Sequence, residues 1–193
     1  MNYQDLAKKI PRYYPMHEVY QSIWFGGEEI VKGSRDDMRV RMNLIRKEDI
    51  KGKVVVDIGC NTGASSFWAI ENGAKKCIGF DVAKEGIDFA NFLAEELKVN
   101  CFFKCEGFDE PKEKQVDIAF CFACHDDIAG TDEAKQKILL DNLKKYSVVY
   151  FETHLKGTFD NWDMPKIIRD NFKVEYLGET GEGNLHRDLY RLS

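Results

Sequence analysis

The sequence lacks several features that define whole classes of proteins. Its 193 residues include only four prolines and no run of about 18 uncharged apolar residues, the length that a membrane-crossing helix needs. The N-terminal stretch MNYQDLAKKI lacks the apolar segment of a secretory signal peptide. No internal repeat, low-complexity tract or long Pro/Gly/Ser linker is visible. Since 44% of the residues are hydrophobic, we expect a folded globular protein that neither spans a membrane nor is secreted.

The six cysteines lack the spacing of a complete metal site. Cys121 and Cys124 form one CxxC pair, but no second CxxC pair and no suitably spaced histidine pair accompanies it. Four of the six cysteines lie in apolar, strand-like runs, where cysteine usually behaves as a small hydrophobic residue. We therefore expect no metal, and reduced, buried thiols in a cytoplasmic protein.

The chain has no strongly basic stripe that would follow a nucleic-acid backbone. Its net charge is −5, with 11 basic against 8 acidic residues over 1–53 and 17 against 25 over 54–193. The acidic body argues against DNA as a partner and against nonspecific nucleic-acid binding. The mildly basic N-terminal segment is compatible with an anionic substrate, or it is simply a solvated surface.

From residue 53 onward, short apolar strands alternate with amphipathic helices. We predict strands over 54–57, 77–80, 102–103, 116–122, 147–151, 172–178 and 186–192, and helices over 64–71, over 84–98, after a Thr131 cap and from 163–165. This alternation predicts an α/β, Rossmann-like fold: a seven-stranded, mostly parallel sheet with helices on both faces. The last two strands are joined by a hairpin-length connection, so one strand near the edge must run antiparallel.

The first 52 residues follow a different pattern, and we predict that they form a helical and irregular cap on the domain of residues 53–193. A short helix is expected around residues 3–9, followed by an irregular aromatic stretch to Phe25 and a turn at Gly26–Gly27. A second helix is expected from Ser34, with Ser34 and Asp37 as its capping box.

The first turn of the predicted sheet has a glycine pattern that separates two cofactor classes. Gly59 and Gly63 allow a tight turn directly before a helix N-terminus. A dinucleotide site has G-x-G-x-x-G here, but Asn61 stands at the position of the second glycine. The Asp57 carboxylate would repel a diphosphate and suits a cationic ligand, while Asp81, after the second strand, can accept hydrogen bonds from both hydroxyls of a ribose. This combination indicates a nucleoside that carries an amino acid.

The motifs VVVDIGCNTG and IGFDV resemble the first two motifs of the class I S-adenosylmethionine-dependent methyltransferases. In that family the glycine loop holds the methionine moiety, and the acid that ends the second strand holds the ribose. The resemblance implies S-adenosyl-L-methionine as the cofactor and in-line transfer of its methyl group to an acceptor, either a small metabolite or an RNA base. It implies that the cofactor is bound by Asp57, Gly59, Cys60, Asn61, Gly63, Asp81, Val82, Gly107, Phe108 and Cys121.

Two further strand ends supply candidate catalytic residues. His125 is a candidate general base or a group that orients the acceptor; the alternative is a strand-end histidine that bonds to backbone. Glu152 ends a predicted buried strand, where an unpaired carboxylate is costly. It therefore needs a partner, which is either the ligand or a nearby cation such as Lys156 or Arg187.

A narrower similarity links the strand ends AFCFACH and VVYFETHLKG to enzymes that modify the wobble uridine of tRNA. Those enzymes have Tyr-His after strand four and Glu-Thr after strand five; His125, Glu152 and Thr153 match, whereas Cys124 replaces the tyrosine. The similarity implies an alternative function, transfer of a carboxymethyl group to a tRNA uridine from a modified cofactor.

The identity of the acceptor and the presence of an activity are open to more than one interpretation. Arg35, Arg39 or Arg41 can guide a small anionic acceptor, or they form a solvated helix face paired with neighbouring acids. The chain can also be a non-catalytic S-adenosylmethionine-binding partner protein; a dehydrogenase is disfavoured by the glycine pattern. Neither the acceptor nor the oligomeric state follows from the sequence.

Overall fold

The computed structural model describes residues 6, 8–10, 19–35, 38–108, 116–130, 132–153, 164–180 and 186–193, without the side chains of residues 164 and 165. In chain order its elements are β1 (Ile23–Phe25), β2 (Glu28–Val31), α1 (Met38–Leu44), α2 (Lys47–Ile50), β3 (Val54–Ile58), α3 (Ala64–Glu71), β4 (Lys76–Asp81), α4 (Lys84–Leu97), β5 (Cys101–Cys105), β6 (Ile118–Phe122), α5 (His125–Ala129), α6 (Glu133–Leu143), β7 (Val148–Glu152), α7 (Met164–Asn171), β8 (Val174–Thr180) and β9 (Arg187–Leu192). No helix within these ranges is long and apolar enough to cross a membrane.

Seven strands form one sheet in the order β5-β4-β3-β6-β7-β9-β8. The pairs among β3, β4, β5, β6 and β7 are parallel, and β9 is antiparallel to both of its neighbours. The predicted seven-stranded, mostly parallel Rossmann-like sheet is therefore confirmed. The chain builds β4 and β5 on one side of β3 and then continues with β6 on the other side, so the order of strands reverses between β3 and β6. Ligands of such sheets bind beyond the carboxyl ends of the strands at this point.

The sheet is covered on both faces because its central strands are apolar on both sides. Successive side chains of a strand point to opposite faces, so Val55 joins one apolar cluster while Val56 and Ile58 join the other. The first cluster includes Phe67 of α3 and the second includes Leu143 of α6. These clusters hold the strand ends at the switch point in a fixed arrangement.

The N-terminal segment packs on the α3 side of the sheet and differs from its predicted form in two places. The stretch predicted as irregular ends in a hairpin, β1–β2, whose turn is Gly26–Gly27 with φ angles of 64° and 78°. The helix predicted from Ser34 is described as Met38–Leu44, and Asp37 of its predicted capping box lies outside the described residues. The backbone of residues 34 and 35 bonds elsewhere: Ser34 N donates to Val19 O at 2.8 Å and Arg35 N to Tyr20 O at 3.1 Å.

Several other boundaries shift by a few residues. The predicted Thr131 cap lies outside the described residues, and α6 is capped instead by Asp132, whose Oδ1 accepts hydrogen bonds from Ala134 N at 2.9 Å and Lys135 N at 3.2 Å. Residues 8–10 are helical, near the helix predicted at 3–9. Strand β8 begins two residues later than predicted, after the helix α7.

A single carboxylate ties α2 to the sheet. Asp49 accepts hydrogen bonds from Tyr150 Oη at 2.6 Å on β7, and from Arg191 Nε at 2.8 Å and Nη2 at 3.2 Å on β9. Partial burial acts to raise the pKa of Asp49, but the hydrogen bonds from Arg191 and Tyr150 outweigh it and hold the pKa below its ordinary value. The ionised form is therefore the one that stabilises the fold.

We expect Asp49→Asn to lower the free energy of unfolding by about 1–3 kcal/mol at neutral pH, because hydrogen bonds to charged groups are worth about that much. A carboxyl group whose pKa is lowered by folding stabilises the protein at pH values above its unfolded-state pKa. This stabilisation is lost as the pH falls through its folded-state pKa. Urea unfolding should therefore show that the difference in stability between wild type and variant shrinks as the pH falls below the ordinary pKa of an aspartate, about 3.9. Glu48→Gln, at an exposed position of the same helix, is the matched control; a variant difference that persists unchanged in acid would contradict this assignment.

Candidate functional site

A cavity of about 670 Å³ opens at the carboxyl ends of β3, β4 and β6. Its wall also includes residues that precede α1 and residues of α1 and β9. The lining residues are Tyr20, Gln21, Arg41, Asp57, Ile58, Gly59, Cys60, Asn61, Thr62, Ala64, Ser65, Phe80, Asp81, Val82, Glu106, Gly107, Phe108, Phe122, Ala123, Cys124, Asp127, Ile128 and Arg187. Eight of the ten predicted cofactor residues line this cavity; Gly63 and Cys121 do not.

The loop after β3 has the conformation that its glycines and asparagine require. Gly59 has a φ of +69°, and a Cβ atom on it would lie 2.8 Å from Cys124 Cβ, so no side chain fits there. Asn61 also has a positive φ, 48°, and its Oδ1 accepts a hydrogen bond from Thr62 N at 2.8 Å. Asparagine tolerates this backbone region because its short side chain bonds locally. Asn61 therefore makes the turn that a second glycine would make, but it keeps a polar side chain.

Gly63 serves packing rather than direct contact with the cavity. It precedes α3 with a φ of +82°, and a Cβ atom there would lie 2.6 Å from Phe103 Cζ. The glycine thus lets the start of α3 approach the β5 side of the sheet. Gly63 is outside the residues that line the cavity, and its predicted role in binding the cofactor stays a prediction.

Asp81 connects the ends of β3 and β4. Its Oδ2 accepts a hydrogen bond from Asn61 N at 2.8 Å, and its Oδ1 accepts one from Ala83 N at 2.8 Å. A carboxylate has about four lone-pair sites, so about two remain for a ligand in the cavity. The backbone fixes the orientation of the carboxylate before any ligand arrives.

Asp57 is a second acid of the cavity, deeper than Asp81. Its Oδ2 accepts a hydrogen bond from Ser66 Oγ at 2.7 Å. Complete burial raises the pKa of Asp57 to about 7, although the hydrogen bond from Ser66 and the positive charge of Arg41 act to lower it. Asp57 therefore changes its charge near neutral pH, and a cation bound beside it favours the ionised form.

The remaining predicted cofactor residues form an apolar end of the cavity. Val82 is exposed, while Phe108 is buried with its ring centroid 6.3 Å from that of Phe80 in an edge-to-face arrangement. Gly107 precedes Phe108, and a Cβ atom on it would meet open space. An aromatic base fits this wall, whose side chains are flat or apolar.

The CxxC pair is divided between the cavity wall and the core. Cys124 lines the cavity, whereas Cys121 is fully buried behind it, with 3.6 Å between the two sulfur atoms. Its contact with Cys121 and its burial raise the pKa of the Cys124 thiol well above the ordinary value, so the thiol stays neutral. The structure gives the cavity-side position to Cys124 rather than to the predicted Cys121.

Glu152 lies beside the cavity and has two cationic partners. It is fully buried; its Oε1 accepts hydrogen bonds from Arg41 Nε at 2.8 Å and Thr180 Oγ1 at 2.5 Å, and its Oε2 lies 3.5 Å from Arg187 Nη1. The partner expected for this carboxylate is thus found, and Arg187 is one of the two cations. Arg41 also stacks on Phe122, with 4.6 Å between its guanidinium carbon and the ring centroid.

His125 begins α5 and is fully buried. Its ring centroid lies 5.0 Å from that of Phe151, and its Nε2 lies 3.4 Å from Asp126 Oδ1. It is outside the set of lining residues, whereas Asp127, two positions later, is within it. His125 therefore has no contact with the cavity in this structure, and its predicted catalytic role stays a prediction.

The predicted substrate residues Arg35 and Arg39 lie outside the cavity wall, and Arg41 lies in it. Arg35 stacks on the Tyr20 ring at 5.1 Å, and Arg39 stacks on the Trp24 ring at 4.3 Å. Two positions along a helix turn the side-chain direction by about 200°, so Arg39 and Arg41 face opposite sides of α1. Of these two arginines, Arg41 is the one that lines the cavity.

No group of three or more His, Cys, Asp or Glu side chains within the described residues is arranged to hold a metal ion. The charged residues that line the described cavity are Asp57, Asp81, Glu106, Asp127, Arg41 and Arg187.

Glu152→Gln should be strongly destabilising, because it leaves two buried guanidinium groups without their counter-charge. Breaking a buried ion pair costs about 3–5 kcal/mol, and we expect a loss of that size in urea unfolding. Glu175→Gln, which breaks the exposed pair with Arg46, is the matched control and should cost less than about 1 kcal/mol. Equal effects of the two variants would refute the importance of this buried cluster.

Most of the chain matches one family of known proteins. A family model described as a methyltransferase domain matches residues 49–186. The tRNA U34 carboxymethyltransferase of Helicobacter acinonychis (strain Sheeba) is 32% identical over 93 residues, which are 44% of this chain and 35% of that protein. The chain therefore spans little more than a third of the length of this relative.

Two solved structures illustrate the similarity of fold. The bifunctional kinase-methyltransferase WbdD has a TM-score of 0.74 at 22% identity, covering 100% of this chain and 46% of WbdD. Magnesium protoporphyrin IX methyltransferase (ChlM) from Synechocystis PCC 6803, solved with bound SAM, has a TM-score of 0.64 at 18% identity, covering 81% of this chain and 76% of ChlM. With the family match over most of the chain, the expected membership is confirmed: this chain belongs to the methyltransferase domain family.

Proposed function

We propose that the chain is an S-adenosylmethionine-dependent methyltransferase. The single observation that carries the proposal is the position of Asp81, which is held by the backbone of the glycine loop while lone pairs of its carboxylate remain for a ligand. A carboxylate at this strand end suits the two hydroxyls of a ribose. Asn61 lines the cavity at the position where a dinucleotide site has its second glycine. This supports a ligand that is a nucleoside without a diphosphate.

The cavity fits the three parts of this cofactor. We assign the ribose to Asp81, the adenine to the apolar wall of Val82, Gly107 and Phe108, and the methionine part to the loop that follows Asp57. A site with carboxylates at this end attracts a ligand that carries a sulfonium and an ammonium. A volume of about 670 Å³ is also within the range of small-molecule sites.

The contribution of the protein to the reaction is mainly positioning. The cofactor supplies an electrophilic methyl group on a positively charged sulfur. The chain holds its donor and an acceptor in one cavity from which water is largely displaced, and holding two reactants together accounts for much of such a rate enhancement. We assign His125 to the support of the loop after β6 and Glu152 to the support of Arg41 and Arg187, rather than to proton transfer.

We further propose that residues 1–52 act as a cap on the acceptor side of the domain of residues 53–193. The presence of Tyr20, Gln21 and Arg41 in the cavity wall supports this division. A cytoplasmic location is proposed with it, because all six cysteines are free thiols and five of them are buried.

Carboxymethyl transfer to a tRNA uridine is the second candidate function. Two observations favour it: the identity of 32% to a tRNA U34 carboxymethyltransferase over 93 residues, and a buried arginine, Arg41, beside the loop that would hold the donor. A donor with a carboxylate on its transferred carbon needs such a cation. The acidic body of this chain weighs against the tRNA acceptor.

Calorimetric titration of protein freed of carried-over ligand tests the proposal. S-adenosylmethionine and S-adenosylhomocysteine should bind, and NAD should not. Asp81→Asn should weaken the binding of S-adenosylhomocysteine by about 10- to 100-fold, because the hydrogen bonds from the ribose are then made to a neutral group.

Asp88→Asn, on the exposed surface of α4, is the matched control and should bind normally. The carboxymethyl form of S-adenosylmethionine belongs in the same series: if it binds tightly and S-adenosylmethionine does not, the second candidate replaces the first. Binding of NAD alone would overturn both.

The affinity for S-adenosylhomocysteine should rise with pH through about 7, the pKa to which burial raises Asp57. Below this pH the carboxyl group is mostly protonated, so its attraction for the ammonium of the ligand is lost; above it the attraction is present. Titrations between about pH 6 and 8 should show a rise of up to tenfold. Asp57→Asn should give weaker and pH-independent binding, whereas Asp88→Asn should keep the rise.

A further inference from the structure

Two buried arginines in the cavity wall share one carboxylate. Arg41 is 3% exposed and Arg187 is 5% exposed, and both line the cavity beside Glu152. Within the described residues, no second carboxylate lies at ion-pairing distance from either guanidinium. The buried cluster of these three side chains therefore carries one positive charge in excess.

Arg187 also has an unused donor. Its Nε is buried and has no hydrogen-bond partner within the part of the chain that the structure describes. A buried N–H of a charged group that is left without an acceptor costs more than a neutral one. Native proteins rarely keep such a group unless a ligand, an ion or a water molecule completes it.

Four other acids line the described cavity: Asp57, Asp81, Glu106 and Asp127; within the described residues, none of them forms an ion pair with Arg41 or Arg187. Asp57 acts on Arg41 at longer range, but it is held by Ser66 and loses its charge near neutral pH. Asp81 is turned toward the backbone of Asn61 and Ala83 at the β4 end. The carboxyl ends of β3 and β4 thus form an acidic end of the cavity, Arg41 of α1 and Arg187 of β9 form a basic end, and Glu106 and Asp127 line the wall after β5 and β6.

We propose that Arg187 and Arg41 form an anion subsite that binds a carboxylate of the methyl acceptor. This proposal rests on the proposed function, because it takes the acidic end of the same cavity as the place of the cofactor. A monoanionic carboxylate matches the single excess charge, and its oxygens can accept from Arg187 Nε. The acceptor is therefore a small carboxylic acid, or a compound with a terminal carboxylate that can enter the cavity.

The depth of the two arginines argues against the phosphate backbone of an RNA as the anion. Exposure of 3% and 5% leaves room for a group that enters the cavity but not for a polymer that passes over the surface. Phosphate-tracking sites use exposed basic side chains along a groove, and the body of this chain is acidic.

The test follows the Nε–Hε signal of Arg187 by two-dimensional ¹⁵N NMR during titration with propionate, in protein saturated with S-adenosylhomocysteine. Arg187→Lys identifies the signal, since it removes this N–H and keeps the charge. Propionate should shift the signal in a saturable manner, whereas propionamide, which has the same shape without the charge, should not. Calorimetry should show propionate binding at least about tenfold weaker in Arg187→Lys, as expected for loss of a charge-assisted hydrogen bond.

Arg169→Gln, at an exposed position of α7, is the control variant and should bind propionate normally. The proposal is overturned if propionate does not shift the Arg187 signal. It is also overturned if inorganic phosphate or a short oligouridylate binds more tightly than propionate. Propionate binding that occurs only without S-adenosylhomocysteine also overturns it, because the anion then occupies the space of the cofactor.

The same titration separates this proposal from the proposed function. If S-adenosylhomocysteine binds and propionate does not, the methyltransferase proposal stands and the subsite falls. If propionate shifts the Arg187 signal and S-adenosylhomocysteine does not bind, the anion site stands while its assignment to a methyl acceptor falls. Calorimetry of propionate against propionamide in the wild type needs no variant, so it remains decisive even if Arg187→Lys fails to fold.

Discussion

The buried cluster of Glu152, Arg41 and Arg187 is the interaction on which the site depends. It joins three parts of the chain that are far apart in sequence: the helix α1, the end of β7 and the start of β9. A charge of this kind is costly to bury without a partner of opposite sign, so both arginines depend on Glu152. The cluster therefore fixes where the N-terminal segment lies against the sheet, and with it one wall of the cavity.

The sheet supplies the opposite wall through its topology. The reversal of strand order between β3 and β6 leaves a crevice at their carboxyl ends, and the glycine loop with its bonded Asp81 occupies it. Apolar packing on both faces holds these strand ends, while the ion cluster holds α1. One wall is thus built by hydrophobic burial and the other by charge, which gives the cavity its acidic and basic ends.

The sequence was informative where a short motif has one structural use. The glycine loop, Asp81 and the alternation of strands and helices predicted the fold and eight of the residues that line the cavity, because such features follow from local backbone geometry. That Arg41 rather than Arg39 lines the cavity depends on how the segment before α1 is held, and residues 34–35 of that segment bond to residues 19–20. That Cys124 rather than Cys121 lines the cavity depends on how the chain turns after β6. Neither contact is visible in a local pattern.

The two ends of the cavity are coupled by the charge on Asp57. Its burial favours the neutral form, whereas Arg41 favours the ionised form, so the charge state of Asp57 responds to whatever occupies either end. A cation bound at the acidic end favours the ionised form of Asp57. An anion bound at the basic end weakens the effect of Arg41, which also favours the ionised form. When both ligands are present, each new charge has a neighbour of opposite sign. If the cofactor and the anion bind as proposed, occupancy of the two ends is linked through the charges of Asp57 and Arg41 even where the ligands do not touch.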